Sequence, residues 1–298
     1  MRYGFIGLGN LGGHLAASLL REGFGVTVHD RDQALAERQL AAGATWGATP
    51  EDVAAASDAV FTCLPSPAVS EAVLTRMLPA LKGRDWIEMS TLGRNEILRL
   101  CDMAEAAGVR TLECPVTGGV HLAKAGKITV LVGGDADLFD RHRPALSAMG
   151  DRIFHMGPLG SAAVIKVITN MLAFIHLVAD GEALMLAKRG GLDLATAWEA
   201  IRASSGTSFV HETEGQLILN GSYDIAFTMD LALKDLGFAM DYGREFGVPL
   251  DLAGLTAQTF VLGRAAYGGD AQSTQIVRLL EDALGTDLRA EGFPARLE

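Results

Sequence analysis

The sequence predicts an α/β N-terminal domain with a mostly parallel sheet, one long connecting helix, and an all-α C-terminal domain. Three observations carry this. Short apolar runs alternate with helical patterns up to about His155, strand signals fade after Gly160, and Ser161 to Arg189 reads as one continuous helix. At roughly 150 residues per domain, a chain of 298 residues divides in two. The boundary falls within or just before the long helix and is placed between 1–160 and 161–298.

Taken in order, the strand candidates are Tyr3–Ile6, Val26–His29, Ala59–Cys63, Trp86–Met89, Val109–Leu112, Ile128–Val132 and Arg152–His155. Helical stretches between most of them end near glycines such as Gly23, Gly43 and Gly108. In "TPEDVAAA", Thr49 reads as an N-cap, Pro50 as the first helical position and Asp52 as the third. Strand–helix alternation of this kind implies parallel strands with helices packed over them. The stretch from Ser161 to Arg189 would be about 29 residues and roughly 43 Å long. Its apolar character calls for packing against a domain or a second subunit. Further helices are expected at Leu194–Ala203, Leu231–Phe246, Leu252–Ala266 and Gln272–Ala283, while Ala203–Gly215 reads as a capped loop.

Composition removes several classes. A net charge of −11 argues against a nucleic-acid or anionic-membrane partner. Cys63, Cys101 and Cys114 lack metal spacing and cannot form a fully paired disulfide set, which suits a reduced, cytoplasmic protein. The histidines have no ligand spacing, so no metal is expected. No stretch approaches ~18 uninterrupted apolar residues, so no membrane span is expected. The chain opens on a strand-like "RYGFIG" without a basic-then-apolar leader.

The first chemistry-bearing motif follows that strand. Gly7-Leu8-Gly9-Asn10-Leu11-Gly12 is a GxGxxG leading into a helix. Gly7 would permit the tight turn, Gly9 the approach of a pyrophosphate, and Gly12 close helix–strand packing. The helix N-terminus would face the phosphates with its N–H groups and positive dipole end. The second strand ends in Asp30, about 20 residues on, where an acidic residue binds the ribose 2′-hydroxyl. Asp30 favours NAD. Arg31 could attract the 2′-phosphate of NADP, or lie over the adenine, or point to solvent.

With the later motifs in view, the chain resembles the β-hydroxyacid dehydrogenases, the group that includes 3-hydroxyisobutyrate dehydrogenase and tartronate semialdehyde reductase. The resemblance covers nearly the whole length. After the glycine loop come "CLPSPAV" (Cys63–Val69), "EMSTLG" (Glu88–Gly93), "ECPVTGG" (Glu113–Gly119), "AGKITVLVGG" (Ala125–Gly134), "GSAAVIKVITN" and "FTMDLALKDLGFA" (Phe227–Ala239). It implies a Rossmann-type domain, a long interdomain helix, a helical C-terminal domain and a homodimer or homotetramer. Lys166 is similar to the family's acid/base lysine, and Asn170 to the asparagine that holds the substrate hydroxyl. Thr117, Gly118 and Gly119 resemble the turn that binds the substrate carboxylate. Leu64, Pro65 and Thr91 match cofactor-lining positions, and Lys234 matches a lysine near nicotinamide and substrate.

Several positions depart from the pattern. Thr169 stands where relatives carry Asn, or His in 6-phosphogluconate dehydrogenases, which argues against decarboxylation of that sugar acid. Val69 replaces an Asn of some members, and Gly93-Arg94 replaces a Ser-Pro or Asp-Pro. His121-Leu122 stands for the Gly-Ala of 3-hydroxyisobutyrate enzymes, which leaves the identity of the acid open.

The residue types suit the reaction that the resemblance implies, hydride transfer between NAD(P) and a small β-hydroxy acid or reduction of the corresponding semialdehyde. A lysine accepts a hydroxyl proton when burial or a neighbouring positive charge lowers its pKa from ~10.4. Asn170, four residues on, lies on the same helix face and offers both donor and acceptor. Backbone N–H groups at Gly118 and Gly119 can hold a carboxylate. Read alone, Lys166 would be a snorkelling lysine and Lys234-Asp235 a solvated pair; the ordered motifs raise both. An imine reductase on the same scaffold and a non-catalytic NAD(P)-binding scaffold are the competing readings. Lys166 counts against the first, and the joint presence of Lys166, Asn170 and the Thr-Gly-Gly turn counts against the second.

Overall fold

The computed structural model describes residues 1–297, which divide into two compact units after Lys166. The division falls inside the long helix, whose first turn is bonded to the sheet of the first unit.

The first unit runs β1 (Arg2–Ile6), α1 (Gly12–Arg21), β2 (Gly25–His29), α2 (Glu37–Ala41), β3 (Thr45–Trp46), α3 (Pro50–Ala56), β4 (Ala59–Thr62), α4 (Pro67–Leu81) and β5 (Asp85–Glu88). It continues with α5 (Arg94–Ala106), β6 (Arg110–Glu113), β7 (Val116–Thr117), α6 (Gly119–Ala125), β8 (Thr129–Gly134), α7 (Ala136–Met149) and β9 (Arg152–Gly157). The sheet order is β3-β2-β1-β4-β5-β6-β8-β7, with β9 also paired to β8. Pairings from β3 through β6 are parallel, and β8 runs antiparallel to β6 and β7. The chain therefore winds outward in both directions from β1 and β4, and the strand order reverses between them.

Both faces of the sheet are covered. On β4 and β5, Phe61 and Ile87 join one apolar cluster while their neighbours Val60 and Trp86 join another. Alternate side chains thus bury into two helical layers. The α3 start follows the sequence reading: Thr49 accepts from the Asp52 N–H, and Asp52 accepts from the Thr49 N–H. Two strands, β3 and β7, escape the sequence because two residues are too short to show alternation.

The long helix, α8, spans Ser161–Arg189. Its most apolar stretch has a mean hydropathy of 1.9, enough by length and composition to cross a membrane. Scattered polar residues such as Lys166 and Asp180 broke the uninterrupted run sought in the sequence without lowering that average. The second unit adds α9 (Leu194–Arg202), α10 (Phe209–Asn220), α11 (Met229–Phe246), α12 (Asp251–Tyr267) and α13 (Arg278–Leu284) around Leu177, Leu184, Leu236 and Phe260.

Two expectations fail here. The stretch Ala203–Gly215 is not a loop throughout: Ser208 accepts from the His211 N–H and starts α10. The Ser/Gly-rich lead-in hid that start. The helix expected over Gln272–Ala283 is a 3₁₀ turn, Ser273–Val277, followed by α13. The Ser273 N–H is bonded to the Phe227 carbonyl (2.7 Å), which anchors the segment to the stretch just before α11.

Candidate functional site

The glycine loop is built by three different steric demands. Gly7 has φ +97°, and a Cβ there would lie 2.2 Å from the Cys63 carbonyl oxygen. At Gly12 a Cβ would lie 2.0 Å from the Gly7 carbonyl oxygen. Both glycines are required by the protein itself. At Gly9 a Cβ would meet nothing within 4 Å. That opening belongs to no packing contact, as expected of a position approached by a ligand.

Asn10 is exposed, and the N-cap residue Leu11 supplies no side-chain cap to α1. The Gly13 and His14 N–H groups are taken by the Gly9 and Leu11 carbonyls, so the N–H groups that could meet an anion are those of the loop up to Gly12. Asp30 closes the loop: its carboxylate accepts from the Leu8 N–H (2.7 Å) and the Asp32 N–H (3.0 Å). Each oxygen keeps capacity for a further donor such as a ribose hydroxyl. Arg31 beside it is exposed. These features fit a dinucleotide.

Leu64 and Pro65 leave the end of β4 next to this loop. The Leu64 N–H donates to Ser90 Oγ (2.7 Å), and the Ser90 N–H donates to Glu88 Oε1 (2.7 Å). Thr62 donates to Glu88 Oε2 (3.0 Å). Burial pushes the Glu88 carboxyl above its usual range, while the Ser90 and Thr62 bonds pull against it. Thr91 follows in the same loop and is half-buried.

In the Thr117–Gly119 turn, Gly118 and Gly119 have φ +124° and +85°, which a side chain would disfavour. The His121 ring folds back over Gly119, with Nδ1 3.2 Å from where a Cβ would sit. Burial pulls the His121 imidazole below its ordinary pKa. His121 thus presents a predominantly neutral ring beside the turn.

Lys166 lies on α8 and is only 7% exposed. Asn170 follows one turn later on the same helix. Within the second unit, Asn170 Nδ2 donates to Asp235 Oδ2 (2.6 Å), and Lys234 Nζ donates to Asp235 Oδ1 (2.7 Å). Asp235 is 1% exposed, so both partners converge on one buried carboxylate. A carboxylate only accepts, which fixes the amide nitrogen of Asn170 toward it. Sequence reasoning passed over Asp235 as half of a solvated pair. Its only signal was adjacency to Lys234, and the Asn170 contact is not visible in a linear pattern. Glu88 and Ser90 were missed as well.

Several polar side chains outside these motifs have local tasks. Ser204 accepts from the Gly206 N–H and Ser208 caps α10, so both have local structural tasks. His211 is engaged with Asp180 (2.5 Å), and His142 with Asp85 (2.9 Å). Among the described residues, no group of His, Cys, Asp and Glu side chains could hold a metal ion.

Comparison with known proteins agrees with this geometry. A family profile described as the NAD binding domain of 6-phosphogluconate dehydrogenase matches residues 2–157. Another, the NAD-binding of NADP-dependent 3-hydroxyisobutyrate dehydrogenase, matches residues 160–280. The chain is 34% identical to 2-(hydroxymethyl)glutarate dehydrogenase of Eubacterium barkeri, over 97% of each protein. The structure of Mycobacterium tuberculosis 3-hydroxyisobutyrate dehydrogenase with L-serine matches at TM-score 0.84 and 28% identity, covering 94% of this chain and 99% of that one. A Streptomyces aurantiacus imine reductase matches at TM-score 0.62 and 21% identity over 94% of this chain and 99% of that one, a likeness of fold alone.

Proposed function

The chain belongs to the β-hydroxyacid dehydrogenase family, and from that premise we propose that it moves a hydride between nicotinamide and a small β-hydroxy acid with Lys166 as general acid/base. It is an NAD(P)-dependent dehydrogenase. The observation that supports the finer reading is the buried Lys166 one turn before an asparagine whose amide is oriented by Asp235.

Gly7 to Gly12 would seat the pyrophosphate, and Asp30 the adenosine ribose, which favours NAD over NADP. Leu64, Pro65 and Thr91 would line the cofactor. When bound, nicotinamide takes up or returns the hydride. The chain's own groups handle the proton and the carboxylate. In oxidation Lys166 would accept the substrate's hydroxyl proton; in reduction its ammonium would return one to the carbonyl oxygen. Asn170, held by Asp235 through one amide hydrogen, would donate the other to the hydroxyl oxygen and leave the hydroxyl proton to Lys166. Lys234, fixed on the same carboxylate, would add positive charge beside substrate and nicotinamide. The N–H groups of Gly118 and Gly119 and the Thr117 hydroxyl would hold the carboxylate. His121, neutral and beside that turn, would face the rest of the acid.

The test is a panel of small β-hydroxy acids, including 3-hydroxyisobutyrate, 2-(hydroxymethyl)glutarate, glycerate and threonate, assayed with NAD⁺ and NADP⁺. At least one acid should turn over, with NAD⁺ preferred. Tight NADH binding with no acid or semialdehyde turned over would contradict the reading.

A further inference from the structure

We propose that Glu113 is the positioning residue for Lys166: its carboxylate reaches from the end of β6 and grips the first turn of α8. The proposal rests on the assignment of Lys166 as the acid/base. Glu113 Oε1 accepts from the Ala162 N–H (2.8 Å), and Oε2 accepts from the Ala163 N–H (3.2 Å). The Gly160 N–H is a third donor to the same group. Glu113 is 1% exposed, so these bonds are made out of reach of water.

Helix N-termini are ordinarily capped by Ser, Thr, Asp or Asn immediately before the first turn. Such a local cap stabilises a helix without fixing where it lies. Here the acceptor comes from 49 residues earlier in the chain, on a strand of the sheet. The bonds therefore set the position of α8 relative to β6 as well as satisfying its orphan N–H groups. When ionised, the carboxylate also complements the positive end of the helix dipole.

The surrounding residues make room for this grip. On β8, a Cβ at Gly133 would lie 2.2 Å from Glu113 Oε1 and within 3 Å of its Cγ and Cδ. A side chain at Gly133 would push the carboxylate off the helix. Burial raises the Glu113 carboxyl to about 7, and the bonds from Ala162, Ala163 and Gly160 pull in the opposite direction.

The geometry links two parts of the proposed chemistry. Ala162 and Lys166 are one turn apart on α8, so a shift of the gripped turn carries the lysine with it. Glu113 also begins the segment Glu113–Gly119, which leads through Pro115 into the turn proposed to hold the carboxylate. One side chain thus ties the proton-transfer group to the substrate-binding turn. A misplacement of about 1 Å in such a pair can cost roughly 10²-fold in rate.

Glu113→Gln preserves shape but replaces one acceptor oxygen with an NH₂ group that cannot receive an N–H. Glu113→Gln, Gly133→Ala and Lys166→Ala would be compared with wild type for kcat, KM, NADH affinity by fluorescence, and Tm. Glu113→Gln and Gly133→Ala should each lower kcat at least tenfold while NADH affinity stays within twofold. A merely structural Glu113 would lower Tm and leave kcat of the folded enzyme unchanged. If Glu113→Gln does not accumulate as folded protein, Gly133→Ala alone carries the test, because it displaces the carboxylate without removing it. A kcat within twofold of wild type in the folded variants, with Lys166→Ala inactive, overturns the positioning role alone. Near-wild-type turnover by Lys166→Ala removes the acid/base assignment and this proposal with it.

Discussion

Strands β5 and β6 carry buried carboxylates at both ends of the pair, one at the start and two at the close, and the two ends treat that charge in opposite ways. At the start of the pair, Asp85 lies opposite Arg110; at its close, Glu88 lies opposite Glu113. Asp85 is surrounded by cations and by a histidine: Arg110 (2.8 Å), Arg141 (3.2 Å) and His142 (2.9 Å), with Tyr3 on the far side of the His142 ring. Glu88 and Glu113 are instead held chiefly by hydroxyls and backbone N–H groups. Burial works to raise all three carboxyls. The bonds and charges of His142 and Arg110 bring Asp85 below its usual range, while Glu88 and Glu113 remain raised. One end is a closed ion-pair network. The other spends its carboxylates on fixing loops and a helix, at the strand ends where parallel sheets bind ligands.

The largest effect that would break this comparison is expected from Asp85→Ala. Removing one member of a buried ion pair costs about 3–5 kcal/mol, and the half-exposed Arg110 and Arg141 place the loss at the lower end. Urea denaturation should show it, with kcat of the folded enzyme unchanged. The pH sign follows from the depressed carboxyl: its stabilisation is present above the unfolded pKa near ~3.9 and is lost as pH falls through the folded value. Wild type should therefore lose more stability than Asp85→Ala below about pH 4. Equal acid sensitivity in both would place the charge network elsewhere.

Much of the fold was legible in the sequence because its signals are local. Seven strands announced themselves as apolar runs, and α8 by its unbroken helical stretch. What escaped was either too short, as with β3 and β7, or disguised, as with α10 behind its Ser/Gly-rich lead-in. The candidate site divides the same way. The glycine loop and the Lys166–Asn170 spacing can be read along the chain. Asp235, Glu88 and Glu113 cannot, since each has a partner far along the chain, 65, 26 and 49 residues away. Each is an acidic residue in a motif otherwise read for its neighbours.

An intermediate effect is expected at the ligand end from Gly12→Ala. Its Cβ would collide with the Gly7 carbonyl, forcing the loop to shift. NADH affinity, followed by fluorescence titration, should fall by about 10- to 100-fold, corresponding to roughly 1.4–2.7 kcal/mol. Unchanged affinity would remove the loop from the cofactor site.

The smallest effect should come from Glu88→Gln. Because burial already favours the uncharged carboxyl, the amide should cost no more than about 1 kcal/mol at neutral pH. A raised carboxyl is most stabilising when protonated and loses that contribution as pH rises, so the variant should gain on wild type as pH rises above the unfolded value near ~4.3. A loss as large as that of Asp85→Ala in chemical denaturation would erase the contrast between the two ends.

The central claim is that Lys166 moves the proton. Its most direct test is the turnover of purified Lys166→Ala beside its NADH affinity, using whichever β-hydroxy acid the wild type oxidises. The account predicts kcat lower by at least about 10²-fold, within the range for loss of a general acid/base, with NADH bound as in wild type. Turnover within tenfold of wild type would contradict it.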